Sequence, residues 1–557
     1  MIASLLSIKK MSLTEEITVE NLDHLGIVAG LIDEIGIVEL INQKLGVDNR
    51  EKIATGQVIK ALILNGLGMV SRPLYLFSQF FEDKAIEKLL GTGINSEYLN
   101  DDKIGLLMDD IYKLGLTNLF IEIGLLVIKK FKIDTKFAHL DSTSFHLHGE
   151  YNNIEIAEND QKRPILITKG YSRDHRPDLK QCVLDLIVSS DSGIPLFMRT
   201  GDGNESDKAV FGQILSDVKK QIKLDSIMVC DSALYSQENI QLISSLKWIT
   251  RVPMTLKKTK EIIGSYLEKV KVSPETDPEI QEITREFQKK GYKWLEQKVT
   301  YAGIKQRWLI VESAERKQSD LQKLNSKIEQ EKNPALKLRK KLETTGFDTV
   351  TQAQNYLKSI NKKLKLWELK SLEIKSKKIN KQSIFYHYQI ETKPRVSEIE
   401  RRTVAAGRFI LATNIESSSD FHCSEILWNY KNQQCCERGF RFLKEPQFFA
   451  DSFFVKKPER VETILFIMSL CLLVYNLGQR ELRKTLKKSN SKVRNQLGKL
   501  TNTPTLRWIF QCFQVVHFLR INQSPKVVNL TEERSLILEF LPSSCQKYYL
   551  GNNNKKR

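Results

Sequence analysis

Lys136-Phe137-Ala138-His139-Leu140-Asp141-Ser142-Thr143-Ser144-Phe145 decides how the rest of this chain is read. The run is apolar enough for a buried strand, yet it holds one carboxylate. An unpaired buried carboxylate is costly, so Asp141 needs a cation or donors beside it. Asp134 and Glu150 lie near enough to compete for a ligand's role, but neither sits inside the run. A second apolar stretch, 226–231, closes on Asp231, and a small-residue turn follows. Between these two, the runs 182–188 and 194–199 flank Ser190-Asp191-Ser192-Gly193, a hairpin signal. The polar turn 201–207 leads into a helical stretch to about Lys220, and a short helix from Ser236 precedes a strand at 248–252.

Three strands, helix, strand, helix, strand is the opening order of a ribonuclease-H-like α/β sheet. The closing helix of such a sheet does not follow directly, because residues 256–400 intervene. They are densely charged, with helical periodicity over 312–378 and strand-like pieces at 294–299 and 308–311. The Lys/Glu-rich part reads as a long helical hairpin with a solvated face. Residues 408–414 read as a strand returning to the sheet. Upstream, 25–32 and 58–64 repeat apolar residues at helical spacing, and Asn65-Gly66-Leu67-Gly68 supplies a C-cap. Such helices suit a helix-turn-helix reader or a bundle used for assembly.

The expected fold class is therefore α/β: a ribonuclease-H-like core interrupted by an insertion with strands and a helical hairpin, plus an all-α N-terminal domain. The expected divisions are a tail at 1–19, helical recognition at 20–130, the core at 131–255 and 401–480, the insertion at 256–400, and a basic C-terminal region at 481–557.

The chain has 557 residues, 86 Lys+Arg against 67 Asp+Glu, a net charge of +19 and a pI near 9.3. A surplus that large favours a polyanionic partner, nucleic acid before an acidic membrane surface. Eight cysteines without a C-x-x-C pair read as reduced core thiols of a cytoplasmic protein. The apolar run 463–477 is shorter than the roughly 20 residues of a spanning helix, so a buried core helix and no membrane partner are expected. Arg480, Arg483, Lys484, Lys487, Lys488, Lys492 and Arg494 form a basic stretch suited to phosphates.

At roughly 100° per residue, Tyr430, Gln433, Glu437, Arg441 and Lys444 fall in one stripe of a helix. A carboxylate between a phenol and cations suits phosphate handling, although an ordinary amphipathic helix with a Glu437–Arg441 pair gives the same pattern. Two carboxylates at strand ends and one on a helix can converge on paired divalent cations, as phosphodiester chemistry uses them. His146 and His148 alternate on one strand face, but no third ligand of suitable spacing follows. Gly201-x-Gly203 lacks the third glycine of a dinucleotide site.

These residues sit within segments that carry a family resemblance. Leu140-Asp141-Ser142-Thr143-Ser144, 170–179, Gly203-Asn204-Glu205-Ser206-Asp207 and Asp231-Ser232-Ala233-Leu234-Tyr235 resemble the DDE transposases of bacterial insertion sequences. The similar group carries a Tyr-x2-Arg-x3-Glu-x6-Lys signature on its catalytic helix. Tyr430, Glu437 and Lys444 fit that spacing, while Gln433 stands at the Arg position with Arg438 and Arg441 as substitutes.

The resemblance implies that Asp141, Asp231 and Glu437 are catalytic and bind two Mg²⁺ ions, with Mn²⁺ able to replace them. It implies terminal inverted repeats in double-stranded DNA and a target DNA as partners. A homodimer associated with the nucleoid would hold two ends, nick them and join the 3′-hydroxyls to the target. Tyr430, Gln433, Arg438, Arg441, Lys444, Arg173 and Arg176 would contact DNA. Trp294 and Trp308 are the candidates to stack on a flipped base, against the reading of both as core residues of a small sheet. A two-metal nuclease on the same fold and a catalytically inactive DNA-binding relative are the competing readings.

Overall fold

The computed structural model describes residues 17–550 apart from 49, 70–71, 152–162, 173, 222–224, 275, 381–382, 417–420, 446–454 and 522–523. The chain divides into two compact units. One joins the residues up to Cys230 with those from Lys431 onward, and the other is Asp231–Tyr430.

The first unit begins with β1 (Ile17–Asn21) and a run of helices from Leu25–Ile35 to Leu116–Phe131. Its sheet follows: β2 (Phe137–Leu147), β3 (Lys180–Ser189), β4 (Pro195–Gly201) and β5 (Ile227–Cys230). The order is β4-β3-β2-β5, antiparallel except for the parallel β2–β5 pair. The β3–β4 turn uses Ser192 and Gly193 at φ +68° and +66°, a conformation that favours glycine at the second position. These strands are buried along nearly their whole length, which explains their apolar character on both faces.

The second unit has β6 (Trp248–Val252), β7 (Glu268–Lys269), β8 (Lys293–Tyr301), β9 (Ile304–Glu312), β10 (Trp367–Asn380), β11 (Ser383–Pro394) and β12 (Arg408–Thr413). Five of them form an antiparallel sheet ordered β6-β12-β9-β8-β7. Strand pieces assigned above to the insertion thus belong to this sheet, with β9 lying directly against the returning strand β12. Ala302 and Gly303, both at positive φ, make the tight β8–β9 turn.

The expected helical hairpin is also corrected. Ala314–Thr344 and Val350–Asn361 are helices, but 367–394 is a two-stranded ribbon, β10 against β11. Leu324, Ala335, Leu342, Ala353 and Ile360 from the helices meet Leu369, Tyr388 and Ile390 of the ribbon in a core of their own. Helices laid on a ribbon replace the helical hairpin.

Beyond Lys431 the chain returns to the first unit. Its longest helix, Pro458–Lys488, starts on proline and is apolar on nearly all sides from Ile464 to Val474. That helix is long and apolar enough to cross a membrane, yet 89% of its apolar window is buried inside the protein. An element that is hydrophobic all round belongs in a core. Short strands β13 (Val493–Arg494) and β14 (Leu500–Thr501) pair with each other, and β15 (His517–Ile521) lies between β1 and β16 (Ser524–Val528).

The N-terminal helices do not stand as a separate all-α domain. Ile27, Leu62 and Phe120 share one core with Leu186, Phe466, Leu506 and Cys545, and β1 adds a strand. Gly30 explains how closely the ends pack, since a Cβ there would lie 2.4 Å from the Cys545 Cα. Arg480 is corrected as well: it is buried, pairs with Asp191 at 2.6 Å and donates to Phe131 O at 3.2 Å. It holds the long helix to the sheet instead of facing phosphates.

Glu462 on the same helix is a buried acid. Its Oε1 accepts the Ile165 N–H at 3.0 Å and its Oε2 accepts the Thr200 hydroxyl, yet burial pushes its pKa up to about 7. The folded chain therefore keeps this proton where an unfolded one releases it. Stability from the protonated form is present below pH 4.5 and is lost as pH rises through about 7, roughly 3 kcal/mol in all. Glu462→Gln keeps an acceptor for the Ile165 N–H, while its amide N–H turns the Thr200 hydroxyl from donor to acceptor. Its melting temperature should match the parent at pH 4.5 and exceed it at pH 8; equal melting at pH 8 would contradict this account.

Candidate active site

Asp141 sits mid-strand in β2, across from Leu186 of β3. Its Oδ1 accepts the Ser142 N–H at 2.9 Å, and the residue is half-buried. Alternation sets it on one sheet face with His139 and Thr143, while Ser142 faces the other way. His139 is fully buried, its ring nitrogens meet no partner among the described residues, and burial lowers its pKa to about 4. It is a neutral core imidazole.

Side chains on the reverse face fix the strand's register. Ser142, Asp185 and Arg199 stand directly opposite one another across β2, β3 and β4. The Ser142 hydroxyl donates to Asp185, Arg199 donates to the Asp185 Oδ2 at 2.7 Å, and Glu205 closes the row with 2.7 and 3.0 Å bonds to the same guanidinium. Asp185 is wholly buried; burial raises its pKa and Arg199 opposes the rise. A one-residue slip of β2 would turn Asp141 to the other face, so this row positions Asp141. Gly203 is required beside it, since a Cβ there would lie 2.0 Å from the Gln181 carbonyl.

These groups were missed in the sequence. Asp185 lies in an apolar run just as Asp141 does, and Arg199 two strand-lengths on is the signal that it is an ion pair.

Leu140 and Cys230 are partners in the parallel β2–β5 pair, and the next residue after each is an aspartate. Asp231 opens the second unit as the N-cap of the turn Ser232–Leu234, with its Oδ1 accepting the Ala233 N–H at 2.9 Å. The Thr250 hydroxyl holds its carbonyl at 2.5 Å. Tyr430 lies close by within this unit. Burial raises its phenol's pKa, Arg251 beside it opposes the rise, and the Asp231 carboxylate adds to it.

The single helix expected to carry Tyr430 and Glu437 is two helices, Cys423–Lys431 and Gln434–Leu443. Asn432 and Gln433 form the turn between them, with Gln433 still in helical backbone at φ −54° and ψ −21°. Gln433 caps the second helix and is nearly buried, which removes it from phosphate contact as a helix-face residue.

Glu437 is exposed on the second helix, whose buried face carries Cys436, Gly439, Phe440 and Leu443. That face rests on β2: Cys436 Sγ lies 3.4 Å from the His139 carbonyl oxygen, and the Asp141 carboxylate adds to the burial that raises the Cys436 thiol. The Glu437 helix and the Asp141 strand are thus packed together within the first unit.

Arg438 and Arg441 are exposed on the same helix. Lys444 ends it, with Nζ 2.6 Å from the Asp174 Oδ2 and 5.8 Å from the centre of the Phe145 ring. Asp174 also stands 3.6 Å from His146 Nδ1. Arg176 is clamped by Asp178 at 2.8 Å, and Arg173 lies outside the described residues. Trp308 is fully buried, donating to Gln306 at 2.9 Å, so it has no face to offer a base. Trp294 is half-buried with its ring edge-on to Phe287.

Carboxylate oxygens are the donors hard divalent cations prefer, so the chemistry of Asp141, Asp231 and Glu437 fits magnesium. Among the described residues no three His, Cys, Asp or Glu side chains are gathered closely enough to hold a metal. Carboxylates at close range repel one another unless a cation lies between them.

Residues 134–321 match the transposase DDE domain, and residues 17–125 match a domain of unknown function (DUF4277). The first match includes Asp141 and Asp231 and ends before Glu437. No curated protein matches the chain. A cryo-EM structure of the piggyBac transposase synaptic complex with hairpin DNA is similar at 9% identity and a TM-score of 0.35, covering 96% of this chain and 82% of that one.

Proposed function

We propose that this chain, whose residues 134–321 match a transposase DDE domain, is an insertion-sequence transposase with a ribonuclease-H-like core. It would bind terminal inverted repeats as a cytoplasmic, nucleoid-associated homodimer, cut DNA at the element's ends and join the 3′-hydroxyls to target DNA. One observation carries the reading: the paired residues Leu140 and Cys230 of neighbouring parallel strands are each followed by an aspartate, both inside the matched domain.

Magnesium held by Asp141, Asp231 and Glu437 would activate the attacking oxygen and stabilise the leaving one. The chain's own residues prepare that event. The Ser142 and Ala233 amides aim the two aspartates, and the Ser142–Asp185–Arg199 row keeps Asp141 on its face. Glu437 approaches from a helix seated on β2. Arg438, Arg441 and Lys444 supply cations for the DNA backbone, where phosphate contacts set affinity and its dependence on salt.

The test incubates the full chain with an end-containing duplex and Mg²⁺. Nicks followed by joined products support the reading. Cutting without joining identifies a nuclease, and binding without cutting an inactive relative. Lys444→Ala tests the phosphate role separately: affinity for the end should fall, with the slope of log affinity against log salt shallower by about 1. An unchanged affinity and slope would remove Lys444 from the interface.

A further inference from the structure

Residues 482–531 contain ten Lys+Arg and no Asp or Glu. Within this stretch β13 and β14 make a small ribbon, pairing Val493 with Thr501 and Arg494 with Leu500. Residues opposite one another share a face. Val493 is turned into the core, so Arg494 and Leu500 are turned out, and Leu500 is 64% exposed. Leu497, in the turn, is 79% exposed.

The turn is firmly built. Asn495 Oδ1 accepts the N–H groups of Leu497 and Lys499, both at 3.0 Å, and the Asn495 N–H donates to the Lys499 carbonyl at 2.8 Å. Gly498 takes φ +71° to close it. At its base the Trp508 indole donates to the Arg494 carbonyl at 2.8 Å, tying the ribbon to the helix Leu506–Cys512. A lone exposed leucine means little. Two of the ten cations are paired with acids from elsewhere, Arg507 with Glu445 and Arg520 with Glu87. Two leucines on a braced ribbon that also carries Lys492, Arg494 and Lys499 still form an apolar point in a positive field.

We infer that this ribbon is a DNA wedge: Lys492, Arg494 and Lys499 hold phosphates while Leu497 enters the minor groove and parts a base step. Apolar side chains pushed between base steps kink a duplex, and the few kcal/mol of unstacking is offset by apolar burial and phosphate contacts. Charge selects the occupant. A second copy would bring an equally basic ribbon, whereas a duplex brings one negative charge per roughly 1.7 Å of its axis. The inference rests on the DNA-processing reading above.

The test uses the full chain with AT-rich duplexes carrying 2-aminopurine at each adenine in turn. Binding should raise fluorescence severalfold at one step. Leu497→Ser, which alters only an exposed side chain, should keep the salt dependence of binding and lose that rise. Lys499→Ala should instead lower affinity and flatten the salt slope. A rise that survives Leu497→Ser overturns the wedge while leaving DNA binding intact. So does a Leu497-dependent change in oligomer mass, or Leu497-dependent binding to anionic lipid vesicles without a fluorescence rise on DNA. Wild-type protein that binds no duplex overturns both the wedge and the reading beneath it.

Discussion

Asp231→Asn is expected to abolish strand nicking while leaving the fold and DNA binding intact. One oxygen of the aspartate accepts the Ala233 N–H as an N-cap. Asparagine caps as well as aspartate, and Thr250 holds the backbone carbonyl, which the substitution does not touch. What disappears is one unit of negative charge. If that charge binds a catalytic cation, several kcal/mol of transition-state stabilisation go with it, a rate loss of about 10³-fold or more. Nicking of a labelled end-containing duplex in Mg²⁺, beside its binding affinity and a thermal melt, measures all three. Asp231→Ala is the useful contrast, since it removes the cap too and should cost about 1 kcal/mol of stability. Nicking by Asp231→Asn at the parent rate would withdraw Asp231 from the catalytic role.

The first unit's sheet was legible because its signals are local. The hairpin turn 190–193 and its flanking runs became β3 and β4, and the runs holding Asp141 and leading to Asp231 became β2 and β5. What failed was non-local or disguised. Nothing near 294–311 says that its partner lies a hundred residues on at β12. The alternation of Trp367, Leu369 and Ile374 in β10 is hidden by lysines and broken by an irregularity between Ser371 and Glu373, so a charged strand passed for a charged helix. The turn at Asn432–Gln433 holds neither glycine nor proline, so the helical stripe ran through it unmarked. Burial alone also marks too much. The argument that singles out Asp141 applies equally to Asp185 and Glu462, which are held by protein donors. A carboxylate in an apolar run announces a partner without saying whether that partner is a metal.

That distinction gives the largest expected effect on stability. Arg199→Ala should destabilise the first unit by about 3–5 kcal/mol, the cost of leaving a buried charge without its partner. Asp185 has no exposure to water, and only the Ser142 hydroxyl would remain of the bonds described for it; Glu205 would lose both of its bonds to the guanidinium. The sign of the pH response follows. Burial already raises the Asp185 pKa and Arg199 opposes it, so removing Arg199 raises it further. The variant then folds best with Asp185 protonated, and its deficit against the parent should be smaller at pH 5 than at pH 8. Chemical denaturation at both pH values reads this directly. Arg199→Met combined with Asp185→Asn and Glu205→Gln leaves no buried charge and should recover much of the loss, because well-packed neutral replacements of an ion pair are often close to neutral. If Arg199→Ala instead unfolds like the parent, the row is not what holds β2 in register. The orientation of Asp141 would then have to come from the packing of the Gln434–Leu443 helix alone.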